Sequence, residues 1–321
     1  MNLGRSGLKV SQLGLGTLAF GKAGWRGWAL SPADSIPMIL EAFELGINFV
    51  DTANYYSDGA SEEVVGEAAR HFGDREKLVL ATKVCRPMGT GPNERGLSRK
   101  HILASVDASL RRLQTDYIDL LQIHRWDYET PIEETLSALN DVVRAGKVRY
   151  LGACTVFAWQ LAKANFIARA HGWEEFVSLQ CHLNLVYREN EREAMPYCAD
   201  AGIGVLAYSP LARGLLSKGK ASWEEKATPR GQADHLNDVY YGRDDYVVAD
   251  RVQEVAAAKG CAAAHVALAW TLRKPPVVSA IVGPSRVEHL RDLVEGLRTT
   301  LGDDEVRYLE EAYRPKENNM M

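Results

Sequence analysis

Eight short apolar runs with strand character recur along this 321-residue chain, near 13–16, 47–51, 78–84, 117–123, 149–153, 176–180, 203–207 and 278–282. Segments of helical periodicity lie between them. Ile102, Val106, Leu110 and Leu113 mark one apolar face. Ile132, Leu136, Leu139 and Val143 mark another, opened by Thr130-Pro131 with Glu133 and Glu134 in the first turn. Gly46, Gly146 and Gly202 each separate a helix from the next strand, the punctuation of a βα repeat. Eight such units favour an α/β fold, a (β/α)8 TIM barrel spanning 1–321 as a single domain, over an open doubly wound sheet. Residues 3–11 predict an N-terminal β-hairpin turning at Arg5-Ser6-Gly7. Two connections, 17–31 and 212–245, exceed ordinary loop length and are expected to be structureless lids or clamps at the C-terminal face.

Composition narrows the function classes. A net charge of −4 gives no basic field for nucleic acid. No run is long enough to span a membrane, and no signal-like segment follows Met1. Cys85, Cys154, Cys181, Cys198 and Cys261 form no CxxC pair, so reduced thiols in a cytoplasmic protein are expected, with no metal site. A complete barrel buries its own core, which makes a monomer the default. Gly14-Leu15-Gly16 lacks the third glycine of a dinucleotide-binding fingerprint and opens no clear helix, so a Rossmann site is rejected.

Chemistry-bearing residues fall where the apolar runs end. Asp51 closes Ile47-Asn48-Phe49-Val50, and Tyr56 follows five residues on. Lys83 closes Leu78–Thr82, and His124 closes Tyr117–Ile123. Parallel α/β folds place their active groups at the carboxyl ends of strands. A barrel-lining lysine needs a counter-charge, and Asp51 is the candidate on the neighbouring strand. An ammonium beside Tyr56 would lower the pKa of the phenol and fit it to protonate a carbonyl oxygen. His124 can donate a second hydrogen bond to the same oxygen. Tyr55 competes with Tyr56, and spacing does not choose between them. Asp119 lies five positions before His124, near the strand start, and reads as structural.

The segments Asp51-Thr52-Ala53-Asn54-Tyr55-Tyr56, Ala81-Thr82-Lys83 and Leu121-Gln122-Ile123-His124 resemble the aldo-keto reductase superfamily, a similarity that runs from the Gly4–Leu15 hairpin to about Leu297. Arg125–Pro131 and the following helix are similar to a bacterial branch that includes aryl-alcohol-dehydrogenase-like reductases and a relative linked to 1-deoxyxylulose 5-phosphate. The resemblance implies NADP(H) extended over the carboxyl-terminal mouth. It also implies Tyr56, not Tyr55, as general acid, Lys83 and Asp51 as the pair that tunes it, and His124 as carbonyl orienter.

For the cofactor, the resemblance implies Gly16 and Thr17 beneath the nicotinamide ribose, Gln180 on the carboxamide, and Tyr208 stacked on the nicotinamide. Ser209, Pro210, Leu211, Gly214 and Leu215 fall beside the pyrophosphate, and Gly283, Ser285 and Arg286 at the 2′-phosphate. Two departures stand out. Cys154-Thr155 replaces a Ser-Asn or Ser-Ser pair, and a thiol is a weak donor to the carboxamide. Asp292-Leu293 replaces Glu-Asn at the adenine, where Asp292 can still accept a hydrogen bond and Leu293 cannot.

Trp25, Trp28 and Trp126 come from loops expected to ring the mouth and suit a flat or apolar carbonyl substrate, unless they pack on neighbouring helices. Tyr240, Tyr241 and Tyr246 are expected to fold over cofactor or substrate. Arg125 is expected to pair with Asp127 or Glu129; the alternative is attraction of an anionic substrate. No fixed anion site other than the cofactor's is legible. Two other functions compete with an NADP(H)-dependent carbonyl reductase. A Schiff-base lyase would use Lys83, but a neighbouring Asp51 would keep the amine charged. A redox sensor of the channel β-subunit type is disfavoured by the lack of a long amino-terminal extension and by Tyr208 where those proteins carry tryptophan.

Overall fold

The computed structural model describes residues 1–318. Eight parallel strands close into a barrel in sequence order: β1 (Leu13–Gly16), β2 (Phe49–Asp51), β3 (Val79–Val84), β4 (Ile118–Ile123), β5 (Val148–Cys154), β6 (Phe176–His182), β7 (Gly204–Tyr208) and β8 (Val277–Val282). β1 pairs with β2 on one side and β8 on the other, so no strand edge is left open. The (β/α)8 expectation holds, and each expected strand is present with its bounds shifted by at most two residues.

Side chains alternate along each strand, and the alternation sorts the core into two layers. Leu13, Val50, Leu80, Leu121, Leu179 and Val205 face outward, into a large apolar layer shared with the helices. Phe49, Val79, Ala81, Leu120 and Leu206 face inward and pack with Leu3 and Val10. The same alternation carries Asp51, Lys83 and Gln122 onto the inner face, above that apolar floor. Asp119 is out of phase with Leu120 and takes the Arg75 guanidinium at 2.5 Å and the Leu80 amide at 2.9 Å on the outside of the barrel. Its structural reading stands.

The N-terminal hairpin is looser than expected. Leu3 N donates to Leu8 O at 2.8 Å and Val10 N to Met1 O at 2.8 Å, but only an isolated Asn2–Lys9 bridge forms. It acts as a plug: Leu3 and Val10 are fully buried in the barrel floor. Gly4 makes this possible. Its φ is +61°, and a Cβ there would lie 2.6 Å from Gly202 O and 2.7 Å from Gly204 N.

The 212–245 segment differs from expectation. It is no structureless loop but holds short helices at Leu215–Glu224, Pro229–Ala233 and Leu236–Tyr240. Asp234 organises it by pairing with Arg213 and Arg230, and Arg230 stacks on Trp28 from the 17–31 loop with 4.5 Å to the ring centroid. The two long connections therefore brace one another. No single helix among the described residues is long and apolar enough to cross a membrane.

Candidate active site

Asp51 is buried inside the barrel and gripped from three strands. Its Oδ2 accepts from Lys83 Nζ at 2.6 Å, and its Oδ1 accepts from Gln122 Nε2 at 3.0 Å and Gln180 Nε2 at 2.7 Å. Lys83, buried, also donates to Thr52 O at 2.9 Å and reaches the Tyr56 hydroxyl at 3.4 Å. Burial works against the Lys83 ammonium, but Asp51 and the neighbouring Tyr56 and Cys154 outweigh it and hold its pKa above the ordinary lysine value. The lysine is locked in its charged form.

The barrel thus brings together the four residues expected to carry the chemistry. The geometry also separates the adjacent tyrosines. Tyr56 points at Lys83 and meets the His124 ring edge-on at 5.7 Å, whereas Tyr55 packs against Trp25 at 5.6 Å. One electrostatic expectation is corrected. Burial pushes the Tyr56 phenol above its ordinary value, and the pull of Lys83 in the other direction does not overcome it. The hydroxyl therefore keeps its proton at neutral pH, ready to be given away.

His124 follows β4, where its backbone N–H bonds Val84 O at 2.8 Å. Burial, with the positive charges of Lys83, Arg86 and Arg125, drops its pKa well below the ordinary value. Its buried Nδ1 has no hydrogen-bond partner. A neutral imidazole with Nδ1 as the bare lone pair leaves Nε2 as the N–H, able to donate to an oxygen beside Tyr56.

The expected cofactor residues divide. Tyr208 ends β7 half-buried, with His182 stacked against it at 5.1 Å and 13°. Tyr187 lies on the other face of His182 at 4.2 Å, completing a three-ring stack. Ser209 follows with φ +55° and accepts from Asn184 Nδ2 through its carbonyl at 2.9 Å. Pro210 and Leu215 are buried, Leu211 and Gly214 half-buried. Gly283, Ser285 and Arg286 are exposed at the start of the helix Val287–Gly296. Among the described residues Arg286 has no carboxylate partner, and its one side-chain hydrogen bond is to His289, at 2.9 Å.

Four expected contacts are pointed elsewhere. Thr17 is fully buried, its hydroxyl 3.2 Å from Asp51 O and 2.8 Å from Ser61 Oγ, so only its neighbour Gly16 lies open to the mouth. The Gln180 amide turns inward because the buried Asp51 carboxylate needs donors, leaving Oε1 3.6 Å from Cys154 Sγ. Asp292 pairs with His265 at 2.9 Å, and Leu293 is packed in the core beside Leu290. Cys154 is buried, and Thr155 follows it in the left-handed region at φ +51°, its hydroxyl 3.3 Å from Sγ.

The aromatic ring of the mouth also resolves. Trp25 leans on Tyr55, Trp28 is held between Arg26 and Arg230, and Trp126 packs toward Trp159 at 6.0 Å. Tyr240 and Tyr241 are not a loose cover. Both are buried around His182, whose Nε2 lies 2.7 Å from the Tyr241 hydroxyl. Tyr246 lies outside this group, beneath Lys220. Strained backbone gathers at this end of the barrel: Ser57, Asp58, Thr155, Ser209, Ala212 and Arg213 all have positive φ in loops that follow strands.

Sequence reading missed Gln122, Arg86, His182 and Asn54. Gln122 was within reach, being two residues before His124 and hence on the same inner face. Asn54 is fully buried with neither side-chain polar atom hydrogen-bonded; it lies inside the Asp51–Tyr56 segment, which assigned it no role.

The aldo/keto reductase family model matches residues 12–314 of the chain. Its relatives include the versiconal hemiacetal acetate reductase of Aspergillus parasiticus, 42% identical over 98% of this chain and 96% of the relative. A Fusarium vanettenii aldo-keto reductase is 40% identical over 98% and 91%. A protein named as an aryl-alcohol dehydrogenase in Schizosaccharomyces pombe is 40% identical over 98% and 95%. These relatives are fungal. They support the superfamily and the aryl-alcohol-dehydrogenase likeness, and correct the placement in a bacterial or deoxyxylulose-phosphate-related branch.

Proposed function

Because the chain belongs to the aldo/keto reductase family, and so to the carbonyl-reducing oxidoreductases, we propose that it reduces an aldehyde or ketone to an alcohol with NADP(H). The observation that carries this reading is the protonated Tyr56 hydroxyl held between the charged Lys83 and the neutral His124. When bound, the cofactor supplies hydride to the carbonyl carbon. Tyr56 gives its proton to the carbonyl oxygen, and His124 Nε2 steadies that oxygen by donating to it. Lys83 stabilises the phenolate that Tyr56 leaves, and Asp51, held by Gln122 and Gln180, keeps Lys83 charged and in place.

The residues at the mouth fit the cofactor. Tyr208 offers an aromatic face for the nicotinamide. Arg286, a guanidinium with no carboxylate partner among the described residues, stands with Ser285 where a helix begins, a setting suited to phosphate. The carboxamide contact falls to Thr155 and to Gln180 Oε1. The charge on Lys83 argues against Schiff-base chemistry, which needs a neutral amine. Five free thiols suit a reducing, cytoplasmic setting.

The test is titration of the protein with NADPH and NADH, followed by addition of 4-nitrobenzaldehyde. Oxidation of bound NADPH is expected. Arg286→Ala should weaken NADPH binding by about 10- to 100-fold, the worth of one charged hydrogen-bond group, with a much smaller effect on NADH. No binding of either nucleotide would end this reading.

The pH profile offers a second check. A histidine whose pKa is depressed stays neutral as pH falls through the ordinary value of about 6.5. Reductase kcat/KM should therefore stay level between about pH 6 and 8, with the acid limb displaced below it. A limb centred near 6.5 would contradict the neutral His124.

A further inference from the structure

We infer that Arg125 and Arg86 form an anion-binding subsite beside the reacting carbonyl, so that the preferred substrate is an aldehyde or ketone carrying a carboxylate or phosphate. The inference rests on the reductase reading for the carbonyl itself and adds the class of group attached to it.

The two arginines are brought together by strand register. Val84 pairs with Ile123, and His124 N bonds Val84 O, which sets Cys85-Arg86 alongside His124-Arg125 just beyond the carboxyl ends of β3 and β4. Both are half-buried. Arg125 lies within electrostatic reach of Arg86, Cys154, Tyr208 and Tyr240, and both arginines act on His124. The register thus sets both arginines at the carboxyl-terminal end of the barrel, beside His124.

Neither guanidinium has an ion pair or side-chain hydrogen bond among the described residues. The acids expected to neutralise Arg125 are committed elsewhere. Asp127 accepts from Leu97 N at 2.7 Å, Glu129 N at 2.9 Å and Thr130 Oγ1 at 2.7 Å. Glu129 is largely exposed and nearest Arg95. Most other half-buried arginines are neutralised: Arg75, Arg112, Arg188, Arg213 and Arg230 each meet a carboxylate, while Arg26 lies over the Trp25 and Trp28 rings. Two adjacent unpaired guanidiniums in a half-buried site repel one another and are poorly solvated, a cost that a bound anion removes. The planar fork of each matches two oxygens of a carboxylate or phosphate.

The placement separates this subsite from the cofactor phosphates. Arg86 and Arg125 follow β3 and β4, on the side of Tyr56 and His124. Arg286 follows β8, across the barrel. A substrate anchored at Arg125 would extend its carbonyl toward Tyr56 and His124.

The experiment compares kcat/KM for 4-carboxybenzaldehyde and 4-formylphenyl phosphate with that for the neutral methyl 4-formylbenzoate, using NADPH at low ionic strength. At least one anionic aldehyde should be preferred by tenfold or more, and the larger preference identifies the anion. Arg125→Gln and Arg86→Gln should each cut that ratio at least tenfold, and Arg125→Lys should restore part of it. Added salt should erode the wild-type ratio. A ratio near one in the wild type, or one untouched by both substitutions, overturns the inference. So does weaker NADPH binding in the variants with an unchanged ratio, which would assign the arginines to the cofactor. Calorimetric titration with benzoate and benzamide, with and without NADP+, separates the two readings. Benzoate-selective binding lost in Arg125→Gln supports the subsite even if no aldehyde is turned over, and then only the reductase reading fails. Turnover of all three aldehydes without benzoate binding leaves the reductase standing and removes the subsite.

Discussion

Tyr56→Phe is expected to lower kcat for carbonyl reduction by about 10^2- to 10^4-fold, the usual worth of a positioned acid. Affinity for NADPH should stay within about twofold, since the lost hydroxyl acts on the transition state and not on the cofactor. The variant keeps the ring, and with it the edge-on contact to His124. Tm should therefore change little. Steady-state kinetics and a nicotinamide fluorescence titration on the same preparation separate the two effects. Full activity in the phenylalanine variant would remove Tyr56 from the mechanism. Because the phenol of the folded protein is raised by burial, it stays loaded with its proton throughout the neutral range.

Lys83→Met should be the most damaging single substitution for stability as well as activity. It leaves the buried Asp51 carboxylate with two amide donors and no cation. Breaking a buried pair in this way costs about 3–5 kcal/mol. Asp51→Asn strands the ammonium instead and should cost a similar amount. The double variant, Lys83→Met with Asp51→Asn, removes both charges and should recover much of the lost stability, with activity still absent. Urea denaturation of the four proteins closes the cycle. Additive losses would mean that the pair is not coupled and that its short contact carries no weight.

The inner-face residues were the legible part of this molecule. Lys83 and His124 each end an apolar run, and period-two alternation assigns them to the face of Ala81 and Gln122. What joins those strands across the barrel was not legible. Gln180 lies 129 positions from Asp51, and nothing local in β6 says that its amide turns to that carboxylate rather than to the mouth. Arg125 misled for the opposite reason. Asp127 and Glu129 are close in sequence, but the turn after β4 folds Asp127 onto backbone amides and leaves the arginine alone. The helices of 212–245 escaped notice because segments of five to ten residues show too little periodicity. Leu293 could have been read: it lies three residues after Leu290, on the same helical face, and that face is buried.

Barrel closure joins the two ends of the fold. β1 finds one of its two partners in β2, about 35 residues away, and the other in β8, more than 260 residues later. The plug at Leu3 and Val10 likewise seats against Leu206 and Val278, residues far along the chain. Without β8, any sheet formed by β1–β7 would have two unpaired rims and an incomplete floor. β8 seals both at once, pairing with β1 and β7 and adding Val278 and Ile281 to the floor. Damage near residues 277–282 would then strike yield and solubility in the cell before it altered any step of catalysis.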